Sequence, residues 1–250
     1  MSGIRGLALM AYAAAAYSAF AATTLWAIGF LADWRGLPAV DGPGSLPAWA
    51  AVLIDAGLLL VFAAQHSVMA RAGFKGRLAV LLPPAAERST YVLAASVALL
   101  AAFWLWRPLP AVVWQVGAQP WAALIWAVYA AGWLVAVAST FMIDHLDFLG
   151  LRQAGWRRGG RAYEAPRFTE RLLYRLVRHP MMLGLVVAFW ATPVMTTGHL
   201  LFALAGTGYI TVGVRFEERD LRRQLGDAYR DYAGRVPAFV PVAVRGSSRR

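Results

Sequence analysis

Arg178, His179 and Pro180 open an apolar run that closes on Arg215, Phe216, Glu217, Glu218, Arg219 and Asp220. Charge is kept out of the run and gathered at its two ends. This pattern is expected where one polar site forms at the point at which a membrane segment leaves and re-enters the aqueous phase. A guanidinium, an imidazole and two carboxylates brought together there make a reaction centre.

The elements that must position these groups follow from composition. Of the 250 residues 60% are hydrophobic and 15% charged, and the mean hydropathy is +0.53, far from the mix of a soluble domain. The chain reads as an all-α polytopic membrane protein with a single domain over 1–250. Gly6 to Ala32 carries no charge and is longer than the 7–15 residues usual for a secretory h-region, so it reads as a retained helix. Further spans are expected over Leu46 to Ala70, Ser89 to Trp106 and Trp121 to Ile143. Tryptophans 104, 106, 114, 121 and 126 suit an interfacial belt.

Charge then orients the spans. Arg71 to Arg88 holds four basic residues against one acid, and Asp144 to Arg178 eight arginines against four acids, whereas Asp33 to Pro47 has a single arginine. The positive-inside rule places Arg71 to Arg88, Asp144 to Arg178 and both termini in the cytoplasm. One long helix from Met181 to Val214 would carry the basic tail outside. A break from Thr192-Pro193 to Gly198 instead predicts a hairpin of helices over 181–196 and 199–215, which returns Glu217 and Glu218 to the side of Arg178 and His179. Glu217 to Tyr232 reads as one amphipathic helix on the cytoplasmic surface, ended by Pro237 and Pro241, with Gly246 to Arg250 disordered.

Other classes fall away on similar grounds. The net charge of +11 sits beside apolar spans, so lipid headgroups rather than nucleic acid are the expected partner. The absence of cysteine excludes disulfides, thiolate metal sites and a cysteine nucleophile, and no metal is expected. Asp55, inside a span, is expected to pair with a Ser or Trp of a neighbouring helix. His199 is expected on the opposite side of the membrane from Arg178, and Tyr91 and Trp106 read as packing.

Arg178-His179-Pro180, Gly184, Glu217-Glu218 and the run from Gly226 through Tyr229 and Tyr232 to Val236-Pro237 resemble the isoprenylcysteine carboxyl methyltransferase superfamily. Gln65-His66-Ser67, Glu87-Arg88-Ser89-Thr90-Tyr91, Asp144-His145-Leu146-Asp147-Phe148-Leu149-Gly150 and Thr192-Pro193-Val194-Met195 are similar to motifs of its bacterial branch, the methanethiol S-methyltransferases, which are relatives of NnrU-like membrane proteins. Met182 stands where the carboxyl methyltransferases commonly carry tyrosine. This difference turns the expectation from a prenylcysteine towards a small thiol.

The resemblance implies an S-adenosylmethionine-dependent enzyme of the bacterial inner membrane that methylates methanethiol to dimethyl sulfide, with the donor bound by about 144–241. Glu217 and Glu218 would accept from ribose hydroxyls or the ammonium, and Arg178 would pair with the carboxylate. His179 would bond the adenine or carboxylate, Pro180 and Gly184 would shape the helix start, and Tyr229 and Tyr232 would cover the adenine. The acceptor thiol needs a base, for which His66 and His145 are candidates, or a positive field from Arg71, Arg88, Arg152 or Arg178. Two rivals are a sterol-reductase-like NADPH oxidoreductase and a non-catalytic NnrU-like transport or assembly protein. Bland readings stand beside these: Arg178 with the two glutamates as an interfacial ion pair, and either histidine as a helix end bonded to a carbonyl.

Overall fold

Helix boundaries fall where proline, glycine and charge interrupt long apolar runs. In the computed structural model, which describes residues 3–156, 163–164 and 170–240, five helices are long and apolar enough to cross a membrane. They are α1 (Gly3–Leu31), α2 (Ala48–Ala70), α4 (Pro84–Leu105), α5 (Trp121–Ile143) and α8 (Thr197–Leu225), while α3 (Ala72–Leu81) fills the loop after α2. The described residues are 72% helical with almost no strand, those of an all-α polytopic membrane protein. The expected disorder of 246–250, Pro241 and arginines 157, 158, 161 and 167 lie outside the described residues.

The residues form two compact units, each discontinuous in sequence. The first comprises Met1–Gln115, Asp144–Pro166 and Val194–Phe202. Its centre is aromatic: Phe30 stacks on Phe103 at 4.6 Å between ring centroids, and Trp106 and Phe202 close around Phe30. Trp106 Nε1 donates to the Val40 carbonyl at 3.2 Å, satisfying its one polar atom in an apolar setting. Asp55, fully buried, accepts from the Arg107 backbone N–H at 2.9 Å rather than from a Ser or Trp side chain. That amide lies two residues beyond the end of α4, outside the helical ladder, and so is available to donate. On α2 only Ala51 and Asp55 are buried, leaving Leu53, Leu60 and Val61 on an apolar outer face suited to lipid.

Asp144 caps α6 (His145–Phe148) by accepting from the Asp147 N–H at 3.1 Å. The chain then folds back so that Leu151 and Ala154 pack on Ala13 of α1. Gly150 makes this approach possible: it holds φ +87, and a Cβ there would meet Ser89 Oγ at 2.7 Å.

The second unit comprises Val116–Ile143, Arg167–Pro193 and Ala203–Arg250. Here α5 crosses α7 (Pro180–Trp190) through small residues. Gly132 and Ala136 face Gly184 and Ala188, and a Cβ on Gly184 would lie 2.5 Å from the Gly132 carbonyl. Backbones this close gain dispersion contacts that larger side chains would forbid.

The hairpin forms, with two corrections. Its first helix is not 181–196 but stops at Trp190, a rise of about 16 Å at 1.5 Å per residue. Ala191 leaves helical geometry and Pro193 has no N–H to continue the ladder. Val194–Thr196 (β2) instead pairs antiparallel with Val112–Gln115 (β1), giving backbone polar groups partners that water would otherwise supply. The tail is not one helix over 217–232 either. Helix α8 runs to Leu225, Gly226 turns the chain at φ +58, and α9 (Asp227–Arg235) follows. A residue without Cβ takes that conformation at little cost.

Candidate functional site

Within the second unit the Pro180 start of α7 and the charged end of α8 meet. The Arg178 backbone N–H donates to Pro237 O at 2.9 Å and that of His179 to Ala238 O at 3.2 Å, tying the approach to α7 to the segment after α9. The Arg178 guanidinium donates through Nε to Glu218 Oε1 at 2.8 Å, through Nη2 to the same oxygen, and through Nη1 to the carbonyls of Ala233 and Val236. Every guanidinium nitrogen is therefore engaged. Glu218 is equally committed: Oε1 also meets His179 Nε2 at 3.2 Å, and Oε2 accepts from Arg222 at 2.9 Å.

Glu217 has the opposite character. Its side chain is 51% exposed, against 11% for Glu218, and its carboxylate stands 3.6 Å from His179 Nδ1. The two glutamates, adjacent in sequence, thus divide into a buried hub and an outward acceptor. A buried carboxylate needs opposite charge and hydrogen bonds to replace water, and Arg178, Arg222 and His179 supply both.

Tyr229 and Tyr232 are buried in a cluster with Val236, beside Leu221 and Leu225. The Tyr232 hydroxyl donates to Tyr174 O at 2.6 Å, and the Tyr229 phenol lies against the Arg178 guanidinium. Burial raises the pKa of both phenols above the usual tyrosine value and pushes Tyr174 up to about 12. All three are neutral donors at physiological pH. Gly184 contributes the close α5–α7 crossing described above.

The structure therefore brings together Arg178, His179, Pro180, Glu217, Glu218, Tyr229 and Tyr232. His66 and His145 belong to the first unit. There His66 meets Tyr91, with 2.6 Å between Nε2 and the hydroxyl, and His145 Nε2 lies 3.2 Å from the Tyr17 hydroxyl. Burial lowers the pKa of His145 although Asp144 pulls the other way. Asp144 itself is held below the usual carboxylate range: burial opposes this, but the hydrogen bond from Arg152 and its charge prevail. His199 is fully buried, its backbone N–H bonded to Thr196 Oγ1.

Three contributors escaped the sequence reading. Arg222 stands four residues after Glu218, a spacing that predicts an ion pair on one helix face. The carbonyls of Ala233 and Val236 carried no signal, because backbone acceptors become available only through a particular chain path. Their contribution is testable. Arg178→Lys keeps a cation for Glu218 but loses the fork that reaches both carbonyls, and is expected to cost about 1–2 kcal/mol for two lost hydrogen bonds. Thermal unfolding in detergent measures the loss, and an unchanged melting temperature would contradict the clamp.

No family model matches the chain. Among curated proteins, the methanethiol S-methyltransferase of Mycobacterium tuberculosis is 51% identical over 232 residues, covering 92% of this chain and 94% of that protein. The chain belongs to the methanethiol S-methyltransferase family. Methanethiol S-methyltransferase 2 of Bradyrhizobium diazoefficiens is 49% identical over 236 residues, or 94% of this chain and 90% of that protein. Nurim of Sus scrofa, 30% identical over 207 residues and 75% of this chain, is a more distant relative in the same superfamily. Similarity to the two methyltransferases extends through both units, so the family relation covers the histidines of the first as well as the ion cluster of the second.

Proposed function

We propose that the chain is a membrane methyltransferase that moves the methyl group of S-adenosylmethionine to methanethiol, giving dimethyl sulfide and S-adenosylhomocysteine. The observation that carries the reading is the junction of Arg178-His179 with Glu217-Glu218 at the mouth of the hairpin, in a chain nearly half identical to proteins named for this reaction.

The residues present fit the donor. The half-exposed Glu217 suits its ammonium or ribose hydroxyls, and the N–H groups following Pro180, beside His179 and in the positive field of Arg178, suit its carboxylate. Glu218, saturated by protein partners, holds Arg178 and His179 in place. Gly184 sets α7 against α5, while Tyr229 and Tyr232 form the packed wall behind the guanidinium. When bound, the sulfonium supplies an electrophilic methyl carbon. The protein contributes orientation and exclusion of water, with His66 or His145 as base for the thiol.

We place the protein in the bacterial inner membrane with both termini cytoplasmic, in contact with lipid, and with residues 1–250 serving one activity. Charge asymmetry among the loops supports this orientation. A reporter fused after residue 250 should register the cytoplasm, and a periplasmic signal would overturn it.

The direct test uses purified protein in detergent with labelled S-adenosylmethionine and a panel of methanethiol, hydrogen sulfide, longer thiols and lipid. Labelled dimethyl sulfide, identified by mass, is the expected product. S-adenosylhomocysteine should raise the melting temperature and NADPH should not, since only a ligand of the folded state stabilises it. Label in other acceptors but none in methanethiol would refute the assignment.

A further inference from the structure

The end of α2, all of α3 and the start of α4 form a basic corner within the first unit. Helix α3 has no fully buried residue. Its half-buried side chains, Phe74, Lys75 and Leu78, lie on one side, and Arg77, Val80 and Leu81 share the opposite one, because residues three and four apart are neighbours on a helix. This outer face is bare: Val80 is 84% and Leu81 79% exposed. An arginine beside two uncovered aliphatic side chains suits the headgroup boundary of a bilayer, where the apolar groups enter the acyl region and the guanidinium stays among the phosphates.

On the inner side, Lys75 lines a cavity of about 200 Å³ with Ala70, Glu87, Arg88 and Tyr91. Lys75 and Glu87 neutralise each other at 3.0 Å, so Arg88 leaves the lining with one net positive charge. A guanidinium offers parallel donors that match the oxygens of a phosphate. The volume is below the roughly 300–1,000 Å³ of sites for drug-sized ligands, enough for a phosphodiester but not for hydrocarbon chains attached to it. Those chains have a place beside the cavity. Leu53, Leu60, Val61 and Val68 are exposed along one face of α2, and the helix ends at Ala70 and Arg71.

We propose that this corner is a binding site for one anionic phospholipid, its phosphodiester held in the cavity by Arg88 and its acyl chains laid along the exposed face of α2. Charge complementarity selects the occupant. From Arg71 to Arg88 four basic residues, Arg71, Lys75, Arg77 and Arg88, stand against Glu87 alone. A zwitterionic headgroup brings its own cation into that field, whereas a headgroup of net negative charge does not. Free phosphate would satisfy Arg88 but leave Val80, Leu81 and the α2 face uncovered; the lipid meets both needs.

The experiment offers phosphatidylglycerol or phosphatidylcholine to the purified protein in a neutral detergent and counts bound lipid by native mass spectrometry. One phosphatidylglycerol should stay bound, about tenfold more tightly than phosphatidylcholine. Arg88→Gln should weaken phosphatidylglycerol about fivefold, the worth of one basic residue beside an anionic surface, and leave phosphatidylcholine unchanged. Arg77→Gln, on the outer face of α3, should act in the same direction, which keeps the test decisive if Arg88→Gln fails to fold. Salt should narrow the difference between the two lipids. Phosphatidylglycerol should raise the melting temperature, and inorganic phosphate at the same concentration should not. Equal retention of the two lipids, undiminished selectivity in a folded variant of either arginine, or an equal thermal shift with inorganic phosphate would overturn the site.

Discussion

Glu218→Ala is expected to abolish methyl transfer and the thermal shift with S-adenosylhomocysteine, and to destabilise the protein by about 3–5 kcal/mol. The carboxylate is the common partner of Arg178, His179 and Arg222. Arg178 and Glu218 side chains are only 10% and 11% exposed, so removing one leaves the other as a charge with little access to water. Arg178 would also lose the anchor that directs Nη1 to Ala233 and Val236, freeing the segment after α9. Glu217→Gln is the internal comparison. Its carboxylate is half exposed and meets only His179 among the described ion pairs, so stability should hold while KM for the donor rises about tenfold, a loss of about 1.4 kcal/mol of binding. Donor kinetics and thermal unfolding of the two variants separate the hub from the acceptor. Equal effects would show that the adjacent glutamates do not divide as the geometry divides them.

Gly184→Val is expected to prevent folding of the second unit. The new Cβ would meet the Gly132 carbonyl at 2.5 Å and the Ala136 backbone N at 2.6 Å. Both contacts are backbone, so neither can rotate away, and the helices must separate over the whole crossing. Overpacking in a close-packed interior costs about 1–3 kcal/mol where side chains can adjust, and here the cost exceeds that range. Separating α5 from α7 also moves Pro180, and with it Arg178 and His179. Gly213→Val serves as control, since a Cβ on Gly213 meets nothing within 4 Å. Detergent-extracted yield and the S-adenosylhomocysteine thermal shift should be lost in the first variant and kept in the second. A folded, ligand-responsive Gly184→Val protein would sink the account of the crossing.

Much of this arrangement was legible beforehand because hydropathy and charge are properties of short windows. Spans expected over Gly6 to Ala32, Leu46 to Ala70 and Trp121 to Ile143 match α1, α2 and α5 to within three residues at every end. Orientation by arginine count required a hairpin between Arg178 and Glu217, and the two ends do meet. The hairpin's interior was harder to read. Val194–Thr196 looks no less apolar than a helix continuation, and its strand character comes from β1, about 80 residues earlier in the chain. Gly226 was seen as part of a motif rather than as a break, since an isolated glycine within a helical pattern is ambiguous until its φ is known.

The sequence alone determined that this is a many-spanning membrane protein with mixed charge gathered at Arg178-His179 and Glu217-Glu218, because burial in lipid is decided residue by residue and leaves charge, Asp55 excepted, at the ends of spans. The tertiary structure decided what each polar group does. Arg178 spends its guanidinium on Glu218 and two carbonyls, Glu217 is left to face outward, and His66 finds Tyr91. Hydrogen-bond partners depend on the rotation and register of helices distant in the chain, to within about half an ångström. Composition and periodicity do not carry that precision; close packing of small residues such as Gly132 and Gly184 supplies it.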